Sequence, residues 1–323
     1  MQILEVGGVK IEGVQACLPE RAADNLTDCL RLFGDAERAR AVVETTGVRS
    51  RRLAEPGTTS LDLCCRAAET LFAAVAAASR QTPEAVRADI GAVVSVSLTP
   101  ERLMPGNASQ AQRRLGLPTD LAAFELTQAC AGYPYGLYLA GTLARSLGRR
   151  VLLLDGDVQS AVTAPDDAAT VPVLSDAGTA TLVAPTDDKS AEPWRFAFMT
   201  AGAGGDALTL SPGGTIAMDG FAVFRFVAAD VQTFLQAFLQ ATGRTADDFA
   251  AFVPHQANVY MVSRLAQALG FAAERLWISA DTCGNPASAS VPVTLAAHGP
   301  GAGRVLLAGF GGGLAAAAAD IGY

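Results

Sequence analysis

Short unbroken apolar runs alternate with helical lengths along much of this chain. Ile90-Gly91-Ala92-Val93-Val94-Ser95-Val96, Ala122-Ala123-Phe124-Glu125-Leu126 and Val151-Leu152-Leu153-Leu154 are such runs. Phe252-Val253, Leu276-Trp277-Ile278 and Val305-Leu306-Leu307 continue the pattern. An apolar run without alternation predicts a strand covered on both faces, and helical spacing between runs predicts parallel strands under helices. Leu61, Leu63, Ala67, Leu71 and Val75 predict a helix from Ser60 to Ser79. Phe234, Leu235, Phe238 and Leu239 predict another from Val231 to Thr242.

The pattern is written twice. In each copy a strand is followed by a helical segment ending in Leu-Gly (Leu115-Gly116, then Leu269-Gly270) and by a second strand. A cysteine loop, another helical segment and a Gly-Arg-led strand complete the copy. Cys130 precedes Arg150 by 20 residues and Cys283 precedes Arg304 by 21. A duplicated β–α–β–α–β unit accounts for this. The polar stretch Pro185 to Ser190 marks the seam, giving halves 1–184 and 185–323. Two such halves packed face to face bring the Cys130 loop and the Asn285 loop to one central cleft.

Composition narrows the classes. The chain of 323 residues is 50% hydrophobic and 17% charged, which supports a large core and excludes disorder. A net charge of −8 leaves no basic stripe for nucleic acid and weakens any docking on anionic membrane. Gly, Asp or Arg break the apolar stretches short of a membrane span, and no signal-peptide pattern opens the chain. Six cysteines without metal-ligand spacing and two distant histidines predict neither a disulfide scaffold nor a metal site. A reduced cytoplasmic protein with no cofactor is the expectation.

Three polar residues stand in distinctive settings. Cys130 opens a small-residue turn, Ala129-Cys130-Ala131-Gly132, ahead of an apolar helix with Pro134 in its first turn. A thiol there feels the positive end of the helix, which predicts a thiolate. His255 follows the strand Phe252-Val253, in Pro254-His255-Gln256-Ala257-Asn258. Asn285 lies in Gly284-Asn285-Pro286, a tripeptide that makes turns unaided. The run Gly309 to Gly313 lacks the Lys-Ser/Thr of a phosphate loop.

Together with Thr46-Gly47-Val48-Arg49 and Ser175-Asp176-Ala177-Gly178-Thr179-Ala180, these runs resemble the thiolase superfamily. Within it the chain is similar to β-ketoacyl-acyl-carrier-protein synthase III over most of its length. The resemblance implies a thiolase-like α/β fold, a duplicated five-layer αβαβα arrangement of two pseudo-symmetric halves. It implies Cys130 as acyl acceptor, and His255 with Asn285 as donors to the thioester oxygen while a second substrate becomes an enolate. It assigns the Cys130 and Gly312 amides to an oxyanion hole, and sets Met104 where a residue reaches into the partner subunit's acyl pocket. It further implies a homodimer, joined near Ala92 to Leu98, with acyl carrier protein or acyl-coenzyme A thioesters as partners.

Some positions depart from that pattern. Thr45 and Tyr260 stand where arginines are usual, and the loop Ala164 to Ala168 carries Asp166 and Asp167 where basic character is usual. These changes disfavour a phosphate-rich ligand and predict a carrier protein as acyl donor. Arg49, Arg51, Arg52, Arg264 and Arg275 are the candidate docking cations. Claisen condensation is the leading reading. Transfer of the acyl chain to a hydroxyl or amine, and an inactive partner subunit, are the alternatives. A thiolase with a second catalytic cysteine does not fit, because Ala308, Gly309 and Phe310 occupy that stretch.

Overall fold

The computed structural model describes residues 1–323. Two five-stranded sheets are each assembled around a parallel pair and an antiparallel hairpin. The first runs Val9–Cys17, Asp176–Pro185, Arg150–Val158, Ile90–Val96, Ala122–Leu126 from edge to edge. The second runs Leu4–Val6, Trp194–Thr200, Ala315–Gly322, Arg304–Gly311, Ala251–Pro254. Ile90–Val96 pairs parallel with Arg150–Val158, as Ala251–Pro254 does with Arg304–Gly311. Arg150–Val158 pairs antiparallel with Asp176–Pro185, as Arg304–Gly311 does with Ala315–Gly322. The duplication is therefore a property of the backbone.

Alternate residues of each central strand feed different cores, which is why these strands read as unbroken apolar runs. Val94 and Leu153 of one sheet and Val253 and Leu307 of the other meet between the sheets, around Leu137, Val291 and Leu295. Those three belong to the buried helices Gly132–Leu147 and Ser290–His298. Val93 and Leu152 point the other way, against Leu61, Leu71 and Phe72 of the helix Ser60–Ser79. Phe252 and Leu306 point outward on the opposite side, against Leu235, Phe238 and Leu265. Helices, sheet, helices, sheet, helices make five layers. Thr59 starts the Ser60–Ser79 helix with a capping box: its Oγ1 accepts the Asp62 N–H, and Asp62 accepts the Thr59 N–H.

The runs read as parallel strands pair in parallel wherever they form strands, and each sheet adds antiparallel neighbours that those runs do not include. Other sequence expectations need correction. Leu276-Trp277-Ile278 forms no strand; Leu276 makes a lone bridge to Phe252. The Trp277 carbonyl accepts from Gln256 Nε2 at 3.3 Å, so a side chain takes up a group that a ladder needs. A strand crosses the seam at 184/185: Leu4–Val6 pairs with Trp194–Phe196 in the second sheet. Finally, Ala92 to Val96 is paired on both sides and offers no sheet edge. The free edge is Ala122–Leu126, where Ala123, Phe124 and Glu125 are exposed.

The helix expected from Val231 begins earlier. Gly220–Phe226, a π turn at Val227–Val231 and Gln232–Thr242 form one 23-residue stretch, long and apolar enough by composition to cross a membrane. It carries Arg225 and Asp230 in its middle turns, and Val231, Phe234, Leu235 and Phe238 are spent in a core.

Candidate active site

The two halves meet over a cavity of about 460 Å³ lined by Cys130, His255, Asn285 and Gly312, residues that sequence reading had singled out. Each arrives on a loop at the end of a sheet strand or at the start of a buried helix. That placement lets a rigid scaffold position side chains at the cavity.

Cys130 sits in a single 3₁₀ turn, Ala129–Ala131, leading into the buried helix. Ala129 takes φ 46°, a left-handed conformation that an alanine adopts only under strain. The other half repeats the device. Ala287–Ala289 is a 3₁₀ turn opening at Ala287 with φ 51° and leading into Ser290–His298. The backbone equivalent of Cys130 is therefore Ser288, not the Cys283 suggested by spacing. Ser288 donates from Oγ to Asp155 Oδ1 at 2.6 Å. Glycines at the end of the strand Arg304–Gly311 fit against the Cys130 turn: a Cβ on Gly311 would lie 3.2 Å from Cys130 Sγ, and one on Gly309 2.8 Å from Ala131 Cα. The close approach explains why that run is glycine.

The thiol does not rest as the thiolate expected from its helix-start position. Burial pushes Cys130 up to about 12, and the nearby Asp157 and Asp155 carboxyls act in the same direction. Burial likewise holds His255 down at about 4, so the imidazole is neutral. A neutral thiol and a neutral imidazole thus line one cavity.

His255 is fixed by backbone and loop. Its N–H donates to Ala308 O at 2.6 Å, and its Nδ1 lies 3.0 Å from Ala287 O and 2.9 Å from Ser290 Oγ. The helix beyond it starts only at Val259, where Asn258 Oδ1 accepts the Met261 N–H. Asn285 is held by its main chain: its N–H donates to Val173 O, and its carbonyl accepts from Ser175 N–H and Gln159 Nε2. Its Oδ1 accepts the Ala287 N–H at 3.0 Å, which orients the side chain and leaves Nδ2 as the donor end.

Met104 lies elsewhere. It is 87% exposed and does not line this chain's cavity. Sequence reading passed over the apolar wall, which comes from Leu208, Leu210, Ile216, Met218, Val223 and Val227. This segment has no clean periodicity to betray it. Asp155 and Asp157 were also missed, although two carboxylates in the apolar run Leu152 to Val158 are a legible signal of a polar network. Asp157 Oδ1 accepts from the Leu98 and Thr99 N–H groups and from Ser97 and Thr99 hydroxyls, holding the loop that carries Leu98 to the cavity. Of the candidate docking cations, Arg51 is internal, bonded to Asn25, Asp28 and Leu174 O. Arg49 and Arg275 are paired with Asp281 and Asp247. Arg264 lines a groove beside the cavity with Tyr260 and Met261.

A fold of two stacked, duplicated sheets with a cysteine, a histidine and an asparagine on facing loops defines an acyl-thioester condensing enzyme. Residues 124–202 match the family described as 3-oxoacyl-[acyl-carrier-protein (ACP)] synthase III, and residues 239–323 match its C-terminal domain. Beta-ketoacyl-[acyl-carrier-protein] synthase III 2 of Streptomyces coelicolor is 32% identical over 95% of this chain and 91% of its own length. Acetoacetyl CoA synthase NphT7 of a Streptomyces species is 32% identical over 97% of this chain and 98% of its own. The crystal structure of 3-oxoacyl-(acyl-carrier protein) synthase from Burkholderia xenovorans superposes with TM-score 0.88 at 30% identity, over 99% of this chain and 96% of the other. A priming β-ketosynthase of a polyketide pathway superposes with TM-score 0.83 at 28% identity, over 100% of this chain and 98% of its own. The chain belongs to the 3-oxoacyl-acyl-carrier-protein synthase III family, transferases that condense acyl thioesters.

Proposed function

We propose that Cys130 takes an acyl chain from one thioester and passes it, through a new carbon–carbon bond, to the α-carbon of a second. The observation that carries this reading is the convergence of Cys130, His255 and Asn285 on one cavity with an apolar wall. In loading, the Cys130 proton passes to His255 as sulfur attacks the carbonyl carbon. The Cys130 and Gly312 amides receive the oxyanion, the carrier's carbon–sulfur bond breaks, and the proton leaves with the carrier thiol. In condensation the second thioester loses CO2 or a proton. His255 and Asn285 donate to its oxygen as the enolate forms, each such donor being worth about 3–4 kcal/mol in comparable sites. The α-carbon then attacks the acyl group, and the Cys130 sulfur leaves as a thiolate that takes up one proton, the substrate's own α-proton or one from water.

The donor in this reading is an acyl carrier protein, docking near Arg264, and the working unit is a homodimer joined along Ala122–Leu126. Met104, exposed beside that edge, then reaches the partner's acyl pocket. The two pseudo-symmetric halves, 1–184 and 185–323, act as one catalytic body in a cytoplasmic enzyme. The test is product mass after incubation with an acyl thioester and a malonyl- or acetyl-type thioester. A β-ketoacyl product is expected. An ester or amide of the acyl chain, with no carbon–carbon bond formed, would establish acyl transfer instead.

A further inference from the structure

His255 faces two different partners through one ring nitrogen. Ala287 O, 3.0 Å from Nδ1, can only accept. Ser290 Oγ, 2.9 Å from Nδ1, can donate or accept. That hydroxyl already accepts the Gln256 N–H at 3.1 Å, and Ser290 is fully buried. Its own proton has Nδ1 as its acceptor or it has none in the structure, and a buried hydroxyl left without an acceptor is costly. With the ring proton on Nδ1, the Ala287 carbonyl is satisfied and the Ser290 proton is not. With the ring proton on Nε2, Ser290 donates to Nδ1 and the Ala287 carbonyl keeps the Ser290 N–H. Nδ1 thus faces an acceptor for one neutral form of the imidazole and a donor for the other.

The two half-reactions ask for different forms. Loading needs a lone pair at Nε2 to take the Cys130 proton. Condensation needs a proton at Nε2 to donate to the enolate oxygen. We propose that Ser290 is a positioning residue whose hydroxyl, by donating to Nδ1, makes the Nε2–H form of His255 available for condensation. Ala287 O holds the other form for loading. The ring carries one proton in either form, so no net proton is taken up. The proposal rests on the two-step reading of the site given above.

The test separates the half-reactions. Ser290→Ala removes the donor and leaves Ala287 O in place. Loading of Cys130, followed by intact mass, should slow less than about threefold, while condensation by the preloaded enzyme falls at least about thirtyfold. Ser290→Thr, which keeps the hydroxyl, should restore condensation. Equal slowing of both steps in Ser290→Ala would overturn the proposal. If the wild type never loads Cys130, the two-step reading itself fails. A second measurement does not depend on activity or on the variants folding. The chain has two histidines, so ¹⁵N-histidine spectra are simple. His298, whose Nδ1 lies 3.0 Å from Thr294 O, supplies an Nδ1–H reference. Wild-type His255 should show ring nitrogens averaged between the two neutral forms. Finding wild-type His255 wholly in the Nδ1–H form would contradict the proposal.

Discussion

At the scale of single residues, burial decides the chemistry against the local backbone. The helix-start position of Cys130 argues for a thiolate, but enclosure and two neighbouring carboxyls outweigh it and raise the thiol to about 12. Alkylation of Cys130 by iodoacetamide should therefore rise about tenfold per pH unit between about pH 7 and 9. A plateau there would mean a preformed thiolate. His255 has the opposite consequence for stability. Its folded value is about 4, below the ordinary 6.5, so the unfolded chain binds the proton more readily between those values. Stability from this group is complete above about 6.5 and is lost as pH falls toward 4. His255→Gln should therefore lose about 2 kcal/mol less than wild type between pH 6.5 and 4.5, measured by denaturant unfolding at each pH. An unchanged difference would place the imidazole in contact with water. Cys130, His255 and Asn285 were legible because each sits in a motif. Their protonation was not, because it depends on what closes over them.

At the scale of elements, the strand Arg304–Gly311 and its following turn press on the turn that carries the nucleophile. Gly309 leaves no room for a side chain beside Ala131. Gly309→Ala should cost about 1–3 kcal/mol in stability and impair loading more than it impairs thiol alkylation, by equilibrium unfolding and intact mass. Alkylation falling as much as loading would indicate a blocked sulfur instead of a displaced oxyanion hole. The strands and the helices Ser60–Ser79 and Gln232–Thr242 could be read from apolar runs, since both faces of each central strand are covered. The missing strand at Leu276 to Ile278 could not, because Gln256, from a distant loop, claims the Trp277 carbonyl. The hairpin and helix start from Leu208 to Val227 were opaque for a related reason. Several of their apolar residues line the cavity as well as a core, so their order does not follow one period.

At the scale of the whole molecule, duplication explains why a catalytic centre forms at all. Two copies of one supersecondary unit each contribute a strained alanine turn, and the turns meet across the pseudo-twofold with Cys130 on one and the Asn285 loop on the other. Duplication and composition were legible in the sequence. The crossing of Leu4–Val6 into the second sheet was not, since three residues carry no periodicity. The exposed edge Ala122–Leu126, flanked by Leu103 and Met104 at 88% and 87% exposure, predicts pairing of two copies. Light scattering should give twice the 33.2 kDa of one chain, and Phe124→Lys should shift it toward the single-chain mass. Carrier recognition belongs to this scale too. The same acyl chain should show a kcat/KM at least tenfold higher on a carrier protein than on coenzyme A, and Arg264→Glu should erase the advantage. Equal values in the wild type would locate a nucleotide site elsewhere on the chain. The most direct test of the account is the mass of the protein after brief exposure to an acyl thioester. One acyl group per chain, on the peptide containing Cys130 and absent in Cys130→Ala, is the predicted result. Undiminished acylation of Cys130→Ala would contradict it.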